Sequence, residues 1–222
     1  MKAIKVCVEV VTLLAFAASV ASAGSVTFSS TDVPKTIVDN YAQGFTSTLN
    51  VPTSIQITDV NLVFNKLLHT SVTDLHIELT SPLGTTVVLV KAWNEGGILK
   101  NLGTPDNFIG VVFDDQATKN LRDGGSPDTP SSYYIFPGSY NINDASVVPN
   151  PLATFNGQDA MGTWTLHVSD RAIGDVGTLQ DWSLRFAVPV PEPTSLSLLG
   201  IGVLGLLAHI WRSRVPMRFS DG

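Results

Sequence analysis

The chain has one cysteine, Cys7, among 222 residues. A lone thiol forms no internal disulfide, so the fold must be held by burial and hydrogen bonding alone. It also excludes thiolate zinc sites and, with Cys7 in a segment expected to be removed, a cysteine nucleophile. Cys7 precedes an apolar run instead of sitting at a cleavage point, which excludes a lipoprotein anchor. Charge is scarce as well, at 14% of residues. There is no H-E-x-x-H zinc helix, no EF-hand loop and no glycine-flanked nucleophile elbow. What is abundant is Gly, Pro, Val, Thr and Ser, with 18 Gly and 13 Pro alone. Low charge with that composition favours an all-β domain with many turns.

The formal charge of −6 conceals an asymmetry. Between Gly24 and Val190 there are 16 acidic and 8 basic side chains. Lys2, Lys5, Arg212, Arg214 and Arg218 hold the remaining bases at the two ends. An acidic body repels phosphate backbones, so no nucleic-acid partner is expected. Divalent cations or basic surfaces suit it better.

The N-terminal "MKAIKVCVEVVTLLAFAASVASAG" has a short basic start, an apolar stretch and small residues at Ala21 and Ala23. That pattern predicts a secretory signal peptide over residues 1–23, cleaved between Ala23 and Gly24. At the other end, residues 194–211 are apolar and are followed by arginines. Eighteen residues at 1.5 Å each approach the thickness of a hydrocarbon core, about 30 Å. A single transmembrane helix is expected there, with a Pro-rich linker at 188–193 before it and a basic cytoplasmic tail at 212–222.

"VPEP" followed by a Leu/Gly-rich apolar segment and an Arg cluster resembles the PEP-CTERM sorting signal of Gram-negative bacteria. Its motif residues here are Pro191, Glu192 and Pro193. The resemblance implies processing by an exosortase-type enzyme at the inner membrane. Transfer to the outer surface or the extracellular matrix would follow.

The body, residues 24–187, alternates apolar and polar positions at period two, the mark of half-buried strands. Leu75, Ile77 and Leu79 share one face, the turn Ser81-Pro82-Leu83-Gly84 follows, and Thr85 to Val90 returns. "SIQITDVNLVF" and "NFIGVVFDD" read as further strands, and the Gly/Pro/Asn-rich stretch from Asp115 to Ala160 as loops and short edge strands. In "TWTLHVSDRAIGDVGTLQDWSLRF", Trp164, Leu166 and Val168 match Trp182, Leu184 and Phe186, suggesting a β-hairpin with His167 and Ser169 outward.

Gly162, Trp164, Leu166, Val168, Asp170, Gly177, Leu179, Trp182 and Leu184 together resemble the P domain, or Homo B domain, of proprotein convertases and bacterial subtilases. The resemblance implies a jelly-roll β-sandwich. In convertases that module stabilises the attached protease and does not itself cleave.

Catalysis is not expected. His167 and Ser169 lie two apart on a strand, about 6.5–7 Å between Cα atoms, and His69 and His76 read as solvated or capping residues. Asp74, Asp114, Asp115 and Asp170 all fall at strand ends, where carboxylates from several loops supply oxygen ligands for Ca²⁺ if they converge. The alternative is that each caps its own turn. Tyr133, Tyr134 and Tyr140 in the Asn/Gly-rich middle suggest either a sugar-binding face or packing over the sandwich edge. Three functions stay open: a non-enzymatic surface or matrix protein, an accessory module for a subtilisin-like protease, and an exopolysaccharide binder.

Overall fold

A computed structural model describes residues 23–97, 106–121, 134–135, 137–142, 150–189 and 202–207. The chain divides into a unit spanning Ala23–Val188 and a second unit of the two termini. Of the second unit only Pro189 and a helical stretch at 202–207 are described. No helix among the described residues is long and apolar enough to cross a membrane. Most of the expected membrane helix, the sorting-motif residues Pro191, Glu192 and Pro193, and residues 1–22 of the expected signal peptide lie outside the described residues.

The first unit is all-β, as composition and alternation predict. Its strands are β1 (Ala23–Ser29), β2 (Lys35–Ile37), β3 (Phe45–Val51), β4 (Val60–His69), β5 (Leu75–Thr80), β6 (Thr86–Val90), β7 (Asp106–Phe113), β8 (Tyr134–Ile135), β9 (Gly138–Tyr140), β10 (Gly162–Asp170) and β11 (Gly177–Pro189). They form two sheets. The larger has the order β1-β11-β4-β7-β8, with β2 also on β11 and β9 on β7. The smaller has the order β3-β10-β5-β6. One apolar cluster joins residues of both sheets. Across it Trp164 of β10 lies 5.7 Å from Phe186 of β11, and Phe155 meets Trp164 edge-on at 5.0 Å.

The β5–β6 hairpin forms as expected, its turn closed by Ser81 N–H donating to the Thr85 carbonyl at 2.9 Å. Ile55 and Ile57 precede β4 with only an isolated bridge at Gln56, so that segment is not a strand. The larger correction concerns the stretch from Thr163 to Phe186. β10 and β11 do not pair with each other. β10 sits between β3 and β5 in the smaller sheet, and β11 between β1 and β4 in the larger. The residues from Arg171 to Val176 therefore cross from one sheet to the other. Two strands with matched apolar faces satisfy period-two alternation whether they lie side by side or face each other across a core. Here they face each other, which is why Trp164 and Trp182 are both fully buried.

Ser169 shares the outer face of the smaller sheet with His167 and His76, as alternation predicts, yet it is fully buried. The segment through Gly44 passes directly over it, so close that a Cβ on Gly44 would stand 2.7 Å from the Ser169 Cβ and 2.2 Å from the Val168 carbonyl oxygen. Gly44 also has φ +55°, a conformation in which glycine avoids the strain of a side chain.

Candidate functional site

The crossing of Arg171–Val176 sets the geometry of one end of the sandwich. Asp170 closes β10, and Arg171 N–H donates to the Asp74 carbonyl at 2.9 Å, fastening the crossing to the start of β5. Gly174 N–H donates to Asp39 Oδ1 at 2.9 Å, fastening it to the loop after β2. Next to these loops a short 3-10 turn, Trp93–Glu95, follows β6. Asn94 Nδ2 donates to the Arg171 carbonyl at 2.7 Å, which closes the ring of segments. Between them opens a cavity of about 640 Å³ whose walls include Asn40, Asp74, Trp93, Asn94, Arg171 and Asp175.

A buried polar chain runs beneath this cavity. His69 and Asp170 have fully buried side chains, with His69 Nε2 3.2 Å from Asp170 Oδ2. The other ring nitrogen of His69 lies 2.7 Å from the Ser71 carbonyl. Ser71 Oγ and Thr73 Oγ1 are 2.8 Å apart, and Thr73 Oγ1 donates to Asp74 Oδ1 at 3.3 Å. Burial raises the Asp170 carboxyl above its ordinary range, against the lowering effect of Ala172 N–H and His69. Burial also raises Asp74, and the hydrogen bond and negative charge it meets at Asp175 push it the same way. Two carboxyl groups in hydrogen-bonding contact share a proton more readily than both ionise.

On the outer face of the smaller sheet a second polar chain links loop to strand. His76 lies 2.6 Å from Glu95 Oε2 and 3.1 Å from Glu78 Oε1. Arg171 approaches Glu95 at 3.8 Å and His167 approaches Glu78 at 3.9 Å. His167 Nε2 donates to the Gln43 carbonyl at 2.9 Å. Thus His69 is not solvated: it is buried, with one ring nitrogen capping the Ser71 backbone and the other hydrogen-bonded to Asp170, and His76 fastens the Trp93 turn to β5. Among the described residues no hydroxyl is hydrogen-bonded to a histidine ring, the contact a hydroxyl nucleophile and its base require.

The four aspartates considered for calcium do not gather. Asp74 and Asp170 stand with Asp175 and Asp39 near the His69 end of β4. Asp114 and Asp115 stand with Asp59, beside the opposite end of that strand. A ten-residue strand separates its ends by about 30 Å. Among the described residues no group of three or more His, Cys, Asp or Glu is placed to hold a metal ion. Asp114 Oδ1 instead accepts from Gln116 N–H at 2.8 Å, capping its own turn, whereas Asp115 Oδ2 accepts from Ala153 N–H at 2.7 Å and so joins two distant segments.

Of the three tyrosines, Tyr140 is buried in the core at the end of β9, because β9 pairs in parallel with β7 and turns that side chain inward. It is not a sugar platform. Tyr133 and the side chain of Tyr134 lie outside the described residues. Sequence reasoning passed over Trp93, the one indole among the described residues that is half exposed. The available signal was "WNEGG" directly after an apolar strand: an aromatic placed in a turn rather than in an alternating run.

The proprotein convertase P-domain matches residues 134–186, and the PEP-CTERM protein-sorting motif matches residues 189–213, so the chain carries both. No curated protein matches the chain. Among solved structures it is similar to the Aeromonas sobria serine protease in complex with the chaperone, at 21% identity and TM-score 0.43 over 76% of this chain and 27% of that one. It is also similar to the serine protease of Aeromonas sobria, at 19% identity and TM-score 0.40 over 74% and 26% respectively. The chain thus covers about a quarter of the length of these structures.

Proposed function

We propose that this chain is a non-catalytic exported protein of the cell surface or extracellular matrix, its β-sandwich delivered by an exosortase-type system. The observation that carries the reading is the order of parts: β11 ends at Pro189, and the sorting-motif match begins at residue 189. A sorting signal directly abutting a closed β-unit is an address on a passenger. On this reading residues 1–23 direct export and are cleaved between Ala23 and Gly24. Residues 194–211 hold the passenger in the inner membrane until Pro191, Glu192 and Pro193 are recognised. The sandwich is the mature product. Among the described residues the histidine rings bond to carboxylates and backbone groups and none to a hydroxyl, which supports a passenger without hydrolytic chemistry.

A second reading is favoured by the P-domain match itself: an accessory module that stabilises or positions a subtilisin-like serine protease in trans. Antibodies against the sandwich separate these outcomes in cell fractions. A pool in surface washings or matrix that disappears when exosortase activity is deleted supports the first reading. A protease co-purifying in stoichiometric amount supports the second. A product found wholly in the cytoplasm refutes both.

A further inference from the structure

We propose that the cavity between Trp93, Asn94, Asn40, Asp74, Asp175 and Arg171 binds a neutral polysaccharide, one pyranose ring lying on the Trp93 indole. The volume, about 640 Å³, is that of a small-ligand site and admits one to two sugar rings. Trp93 is 50% exposed, whereas Trp164 and Trp182 are fully buried, so this indole presents an apolar plate to solvent instead of stabilising the core. The apolar axial face of a pyranose covers such a plate, while its rim hydroxyls need donors and acceptors around it.

The rim here supplies both kinds. Asn40 offers an amide. Asn94, whose Nδ2 is committed to the Arg171 carbonyl, keeps its own carbonyl as an acceptor. Asp74 and Asp175 accept from vicinal hydroxyls, and the Arg171 guanidinium donates. The plate is held rigidly: Ala92 is fully buried, Gly97 N–H donates to the Ala92 carbonyl at 3.0 Å, and Glu95 is bound by His76 at 2.6 Å. A Cβ at Gly97 would stand 1.8 Å from the Lys91 carbonyl oxygen, so the close return after Trp93 requires glycine. A preformed plate loses little freedom on binding.

Charge selects among glycans. With Asp74 and Asp175 sharing a proton, their one negative charge is met by the Arg171 guanidinium, and the acidic chain around the cavity, of net charge −6, repels uronate-rich or sulfated polymers and not neutral ones. This deepens the matrix reading and rests on it for the source of the ligand, not for the chemistry of the cavity.

The test uses purified full-length chain in mild detergent, electrophoresed through native gels containing dextran, hydroxyethyl cellulose, laminarin or alginate. Its result is independent of where the cell sends the protein, so it fails separately from the export reading. Retardation is expected in at least one neutral gel and not in alginate. Trp93→Ala should weaken it about tenfold or more with an unchanged melting temperature, while Trp93→Phe keeps part of it. Should Trp93→Ala misfold, the Phe variant and competition by free oligosaccharide give the same decision. Retardation only by alginate, or by none of the four, overturns the proposal, as does a Trp93→Ala chain that binds as the wild type does.

Discussion

Replacing Asp32 with Asn should destabilise the sandwich at neutral pH and cease to matter in strong acid. Asp32 follows β1 and fastens the strand ends around it. Its carboxylate accepts from Ser47 Oγ at 2.5 Å, Ser30 Oγ at 2.8 Å, Thr48 N–H at 2.9 Å and Thr48 Oγ1 at 3.1 Å. Ser47 Oγ in turn accepts from Trp182 Nε1 at 2.7 Å, so the cluster reaches from β3 in the smaller sheet to β11 in the larger. Burial alone would raise this carboxyl, but the four hydrogen bonds outweigh it and hold it at about 2. Relative to an unfolded value of 3.8, that depression corresponds at full strength to about 2.5 kcal/mol. The side chain is 32% exposed, so solvent screening reduces the expected contribution to about 1–2 kcal/mol. Because the folded value is the lower one, the stabilisation is fully present above pH 3.8 and is lost as pH falls through about 2. Asparagine can accept at one position only, and its amide nitrogen meets donors at the other. Urea denaturation of wild type and Asp32→Asn at pH 7, 4 and 2 should give a difference of about 1–2 kcal/mol at the first two values and near zero at the last. In melting temperature the neutral-pH difference is about 3–6 °C for a unit of this size. A difference that is constant across this range, or absent at pH 7, refutes the reasoning.

Two further predictions rest on the remaining carboxylates. Removing the imidazole with His69→Ala leaves Asp170 buried without its partner and should cost about 3–5 kcal/mol, measured by chemical denaturation at pH 7. Asp115 behaves oppositely to Asp32: burial, opposed by the Ala153 and Leu152 N–H groups but reinforced by Asp114 and Asp59, raises it to about 6. Its ionisation therefore destabilises the fold progressively as pH rises from 3.8 to about 6, and Asp115→Asn should stabilise by about 1 kcal/mol at pH 7 after allowance for solvent, with no gain at pH 3.5. Equal melting temperatures of the two proteins at pH 7 would count against it.

How far the fold was readable depended on whether local pattern or topology decided the outcome. The Ser81–Thr85 turn was legible because proline and glycine act within four residues. The partners of β10 and β11 were not, since their alternation is identical for paired and for facing strands, and the choice lies in contacts more than 100 residues apart, such as Trp164 opposite Leu49. Ser169 does face outward with His167, but sequence does not show that the Gly44 segment crosses above and buries it. For Tyr140 the sequence left packing and a sugar-binding face both open, because its inward direction is set by its register with β7. The acidic strand ends were identified individually, yet which end of β4 each one adjoins follows only from sheet order. Trp93 was missed for the reverse reason: a turn aromatic contributes nothing to periodicity.

The position of β11 has a consequence for how the chain is made. The larger sheet has β11 between β1 and β4, and the smaller has β10 between β3 and β5. Both leave the ribosome well after their partners β1, β3, β4 and β5. A nascent fragment ending before Gly162 lacks both of these interior strands, so β3 lacks its neighbour and β1 has nothing to pair with. Synthesis alone cannot lock the sandwich early. The sandwich therefore closes only once β10 and β11 have been made, whatever the order in which its other strands form.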